Sequence, residues 1–119
     1  MLKWATMSAD FSADPNRVIH EPARLKIMSV LSILECADFV YLMNETGLTR
    51  GNLSVQLRRL EEAGYLVVSK EFRGRMPRTV ASMTDAGRKA FKEYRAYLKT
   101  LLRTTAKTTP IQDALPESG

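Results

Sequence analysis

From Glu21 onward, apolar side chains recur at helical spacing. Ile27, Val30, Leu31 and Leu34 stand one turn apart, and Leu25, Met28 and Ile33 widen the stripe, which predicts a deeply buried helix. Pro22 suits its first turn, where a missing N–H leaves no helical hydrogen bond unmade. A short second helix is expected over about 37–46, with Val40 and Met43 inward and Gly47 as a left-handed stop. The third helix is the best punctuated. Thr49 is its N-cap, and Leu48 and Leu53 occupy the two positions of a hydrophobic staple. Leu53, Leu57 and Leu60 form the buried stripe, Gly64 ends the helix, and Tyr65 is placed to touch Leu60.

The period then changes. Residues 65–72, rich in aromatic and β-branched side chains, predict a strand, 73–77 a short loop, and 78–83 the returning strand. Thr84 caps a long helix over about 85–103, with Ala90, Phe91, Tyr94, Leu98 and Leu101 on one side. Residues 1–14, small and polar around an isolated Trp4 and Phe11, are expected to be a flexible arm, and the Thr/Pro-rich segment 104–119 a disordered tail. No internal repeat is visible. What remains, 15–103, is one mainly α domain with a β-hairpin wing. Its order of three helices, hairpin and helix is that of a winged helix-turn-helix.

Composition agrees with one domain. The chain has 119 residues, of which 45% are hydrophobic and 26% charged, so wholesale disorder is not expected. The longest apolar run, 39–43, falls far short of the roughly 18 residues of a membrane span. The first ten residues lack the apolar core of a secretory signal, so a cytoplasmic protein without a membrane partner is expected. A single cysteine, Cys36, excludes an intramolecular disulfide and a multi-cysteine zinc site; it is expected to be a small packing residue rather than a sensing thiol.

Charge changes the picture more. The net +5 is uneven: residues 1–48 carry 4 basic and 6 acidic side chains, whereas 49–103 carry 13 and 5, a local net of +8. Such a segment inside a folded domain is either a solvated surface or the footprint of a phosphate-backbone binder. On a helical wheel with Leu53, Leu57 and Leu60 inward, the third helix turns Gly51, Val55, Arg58, Arg59 and Glu62 outward, flanked by Asn52 and Ser54. Small residues at the start allow close approach to base edges, and free N–H groups there favour phosphate. Asn52 can pair bidentately with adenine, Arg50 or Arg58 with guanine, and Val55 can meet a thymine methyl. In the hairpin, Arg73, Arg75 and Arg78 cluster around Gly74 and Pro77, with Lys70 at the base; arginines on a thin loop suit a narrow minor groove.

The stretches 48–57 and 60–65, with 78–91 and the opening His20-Glu21-Pro22-Ala23-Arg24, resemble the core of compact winged-helix transcriptional regulators of the MarR/ArsR-like group, over about 15–103. The resemblance implies a homodimer on double-stranded DNA, with recognition helices in successive major grooves and wings along the backbone. It carries helix contacts to Thr49, Arg50, Asn52, Ser54, Val55 and Arg58, and wing contacts to Arg73, Arg75 and Arg78. Two features depart from the pattern. No Asp precedes the wing arginines in Phe72-Arg73-Gly74-Arg75, and one Cys with one His is too few ligands for metal sensing.

The last helix keeps an apolar seam to its end through Tyr94, Tyr97, Leu98, Leu101 and Leu102, which a partner helix can cover; folding back on the first helix is the alternative. A cleft lined by Tyr94, Tyr97 and Met28 could hold a small apolar effector, although such stripes are usually core. No phosphate-binding glycine loop, zinc-protease motif or nucleophile elbow is present, and the carboxylates are scattered, so neither enzymatic activity nor a cofactor is expected. The expectation is a dimeric, sequence-specific regulator on a near-palindromic site. Its rivals are a sequence-neutral architectural DNA binder and a winged-helix protein-interaction module.

Overall fold

The structure is a computed structural model that describes residues 13–105. Apart from those end residues, the expected arm over 1–14 and tail over 104–119 lie outside the described residues. The elements run α1 (Pro22–Ser32), β1 (Ala37–Asp38), α2 (Phe39–Thr46), α3 (Arg50–Glu62), β2 (Leu66–Arg73), β3 (Met76–Met83) and α4 (Asp85–Thr104). Pro15–Tyr94 form one compact unit, and α4 from Arg95 onward belongs to another.

The chain enters α1 through an Asn16 turn. Its Oδ1 accepts from Val18 N and Ile19 N, and its Nδ2 donates to the Tyr65 hydroxyl at 2.9 Å. Ile19 is thereby held in the core before the helix begins. Glu21 caps α1, accepting from Ala23 N and Arg24 N, with Pro22 at the first helical position. Ala23, Ile27, Met28 and Leu31 are its buried face. The helix stops at Ser32, two residues short of the Leu34 that ends the apolar stripe. Ile33, expected inward, sits at the C-cap and is 82% exposed.

A second correction follows directly. Residues 37 and 38 are not helical: they pair antiparallel with β3, Ala37 opposite Ala81 and Asp38 opposite Val80. Asp38 then caps α2, accepting from Tyr41 N at 2.8 Å. This later start rotates the inward face, so Leu42 and Thr46 are buried while Val40 is 54% exposed. Thr46 is tolerated inside because its hydroxyl donates to Leu42 O at 2.6 Å. Cys36, expected to pack, stands exposed in the connection between α1 and β1.

The ends of α3 are as the sequence predicts. Thr49 accepts from Asn52 N at 3.2 Å. Gly64 N donates to Glu61 O and Tyr65 N to Leu60 O, with Gly64 at φ 82°, which is a Schellman closure. The hairpin is tighter than expected. Arg73 pairs with Met76, leaving Gly74 and Arg75 as a two-residue turn, and Gly74 at φ 65° gives the sense that matches strand twist. The sheet order is β1-β3-β2. Thr84 accepts from Gly87 N to start α4 and donates to Gly64 O at 2.6 Å, tying the helix start to the end of α3.

The core lies where α1 packs on α2, α3 and β3. Ile19, Ile27, Met28, Leu31, Leu42, Leu53 and Leu60 are fully buried there. Each such side chain stabilises the fold by roughly 1.5–3 kcal/mol.

Candidate nucleic-acid interface

Burial of Leu53, Leu57 and Leu60 fixes the rotation of α3. The opposite face is therefore open: Gly51, Asn52, Ser54, Val55, Arg58 and Arg59 are exposed, as is Thr49 at the cap. Val55 is 42% exposed, an apolar side chain in a polar face. Arg50 begins the helix with its guanidinium 5.4 Å from the centroid of the Phe39 ring, a cation–π contact that braces it against α2.

The hairpin base meets this helix end. A groove of about 470 Å³ is lined by Asp38, Phe39 and Val40 at the start of α2, Arg50 and Ser54 of α3, and Lys70, Pro77, Arg78 and Thr79 of the hairpin. Of its charged groups, Arg50, Lys70 and Arg78 are basic and Asp38 is acidic. Two expected site groups, the helix start and the wing base, thus share one concave surface.

The wing arginines are not equivalent. Lys70, Arg73 and Arg75 are exposed. Arg78 is half-buried, 3.7 Å from the Asp38 carboxylate and 3.6 Å from that of Glu71, and its Nε is buried with no hydrogen-bond partner. It spans all three strands, bridging β1 to β2 across β3. At the tip, Phe72 and Met76 are 73% and 70% exposed beside Arg73 and Arg75. From sequence, Phe72 reads as an ordinary strand position and Met76 as a loop residue, and the structure instead places Met76 at the start of β3.

A second group escaped the sequence reading. Arg24 of α1 has a side chain only 15% exposed; its Nε donates to Val18 O and its Nη1 to Gln56 Oε1 at 2.8 Å. Gln56 Nε2 in turn donates to Asn52 Oδ1 at 3.0 Å. The Gln56–Asn52 spacing of four is legible in the chain, but Arg24 is brought there only by packing of α1 on α3.

The residues expected at a dimer seam divide. Tyr94 is 3% exposed inside the compact unit, its hydroxyl 2.7 Å from His20 Nδ1. Met28, paired with it in the supposed effector cleft, is a fully buried core residue. In the segment from Arg95, Tyr97, Leu98 and Leu101 are half-buried and Leu102 is 65% exposed. Among the described residues no group of His, Cys, Asp and Glu is arranged to hold a metal ion, and no helix is long and apolar enough to cross a membrane.

Residues 23–102 match the family described as a winged helix DNA-binding domain. Over 79 residues the chain is 38% identical to an uncharacterised protein of Methanocaldococcus jannaschii, an alignment covering 66% of this chain and 85% of that protein. Among solved structures, a transcriptional regulator homologue from Pyrococcus horikoshii OT3 matches with a TM-score of 0.73 and 32% identity, covering 77% of this chain and 91% of that one. A MarR-family regulator from Enterococcus faecalis V583 shares the fold with a TM-score of 0.61 at 20% identity, covering 85% and 96%.

Proposed function

The chain belongs to the winged helix DNA-binding domain family, whose members of this kind are non-enzymatic transcriptional regulators, and from that premise we propose that it is a sequence-specific regulator acting as a homodimer on a near-palindromic operator. The observation that carries the reading is the shared groove. Arg50 and Ser54 at the start of α3 face Lys70, Arg78 and Thr79 of the wing across one concavity, beside the open helix face. In this arrangement α3 enters a major groove and the hairpin reaches the adjacent backbone and minor groove.

Lys70, Arg73, Arg75, Arg58 and Arg59, all exposed, supply the phosphate term and its salt dependence. Thr49, Arg50, Gly51, Asn52, Ser54 and Val55 are the candidates for base edges or close backbone approach. Tyr97, Leu98, Leu101 and Leu102 supply the partner contact. A small-molecule effector is compatible with this reading.

The test is selection of bound fragments from randomised duplex DNA at near-physiological salt. An enriched inverted repeat, with half-sites roughly 10 base pairs apart, is the expected result. Binding without enrichment would replace this reading by an architectural one. No binding would replace it by a protein-interaction module.

A further inference from the structure

We propose that Arg24, which stands off the outer face of α3, sets what that face reads, by fixing Asn52 as a hydrogen-bond donor to an acceptor edge of the base. The inference rests on the DNA-binding reading above and deepens it at one side chain.

The argument is one of hydrogen-bond polarity. A guanidinium has donors only, so the Gln56 group facing Arg24 Nη1 must be its carbonyl oxygen, Oε1, at 2.8 Å. The Gln56 amide nitrogen is then directed the other way, along the helix, where it meets Asn52 at 3.0 Å. Because Nε2 donates, the Asn52 atom that receives it must be Oδ1. Each amide orientation follows from the one before it. The chain starts at a group that cannot reverse, since Arg24 is always charged and is held by Val18 O and, at 3.8 Å, by the Glu21 carboxylate. Its anchored end is mostly buried and its reading end, Asn52, is exposed.

Asn52 therefore has its oxygen turned toward Gln56, with one lone pair occupied, and its Nδ2 available, with no hydrogen bond to any described residue. In a major groove, a donor seeks N7 or O6 of guanine, N7 of adenine or O4 of thymine. Guanine presents two adjacent acceptors and is the best match, whereas cytosine presents an amino donor and is the worst. The bidentate adenine pair expected from residue type alone needs oxygen and nitrogen together, and the relay occupies one of the two lone pairs of Oδ1 and turns it toward Gln56, which weakens the oxygen's half of that pair. Arg24 and Gln56 are thus positioning residues for specificity, and Asn52 is the contact.

Gln56→Glu inverts the relay. A carboxylate still accepts from Arg24 but now also accepts from Asn52, which must turn its Nδ2 inward and present Oδ1. Arg24→Met instead removes the anchor and leaves both amides free to rotate. The experiment compares the full chain with Q56E and R24M by selection from randomised duplex DNA, and by side-chain amide NMR of the free proteins. The wild-type chain is expected to prefer guanine at one position per half-site. Q56E is expected to shift that position to cytosine or adenine by roughly tenfold, with other positions unchanged. R24M is expected to lose preference there alone, and the Gln56 amide signals are expected to lose their hydrogen-bonded shift in R24M.

The added charge of Q56E lowers affinity for all sequences and cannot by itself exchange one base for another. If all three proteins select the same site, this inference fails while the regulator reading stands. If the wild-type chain selects no site, both fail together.

Discussion

Gly87, in the first turn of α4, lies against the backbone of Tyr65: a Cβ added there would come 2.3 Å from the Tyr65 carbonyl oxygen and 2.9 Å from the Met83 side chain. That carbonyl also accepts from Thr84 N at 3.0 Å, and Thr84 caps the helix that carries Gly87. The contact sets how closely α4 can start beside the end of α3. Gly87→Ala must displace backbone at a hydrogen-bonded junction, where overpacking outweighs the better helix propensity of alanine. The expected loss is about 1–3 kcal/mol, read as a lower urea midpoint with an unchanged denaturant slope.

Arg75 and Arg78 should separate in a salt titration. Arg75 is exposed at the turn, whereas Arg78 is held between Asp38 and Glu71. Arg75→Ala is expected to weaken binding to all duplexes alike and to reduce the slope of log affinity against log salt by about 1. Arg78→Ala is expected to leave the slope nearer wild type and instead lower the thermal midpoint, because it uncouples β1 from β2. Equal slopes for wild type and Arg75→Ala would remove the wing from the interface.

Helix caps next to the groove offer a stability test that does not involve DNA. Thr49→Ala removes the acceptor of Asn52 N, and Asp38→Ala removes that of Tyr41 N as well as a partner of Arg78. Each is expected to cost about 1 kcal/mol in urea unfolding. Asp38→Asn keeps the cap and loses only the charge, so it should recover most of that loss; failure to recover would assign the effect to the Arg78 pair.

The dimer reading predicts a concentration-dependent mass. Sedimentation equilibrium of the full chain should give twice 13.4 kDa, and Leu98→Glu with Leu101→Glu should give a monomer that binds a single half-site more weakly. A wild-type monomer at all concentrations would overturn it.

Much of this was legible in the chain because it depends on local chemistry. Thr49, Gly64 and Thr84 are capping residues whose hydrogen bonds lie within a turn or two, so the bounds of α3 and the start of α4 followed from residue type. The three leucines of α3 define an inward face, and the outward face is its complement. The +8 segment and the wing arginines needed only counting.

Errors arose where distant pairing overrode local pattern. Ala37 and Asp38 read as helix, but β3 offered backbone partners, and pairing there delayed α2 and turned Val40 outward. Ile33 continues an apolar stripe, yet the helix ends before it, leaving it and Cys36 in the open. Arg78 looked like its neighbours Arg73 and Arg75, and only the placement of Asp38 and Glu71 beside it sets it apart.

By itself, then, the sequence determined the order of the elements, the caps, the exposed face of α3 and where positive charge accumulates, because each is set by spacing along one segment. Tertiary structure alone decided that the wing base and the start of α3 line one groove, and that a guanidinium on α1 reaches Gln56. Those relations join residues 16 to 32 positions apart, from Ser54 and Lys70 to Arg24 and Gln56, and periodicity within a segment carries no information about which segments will touch.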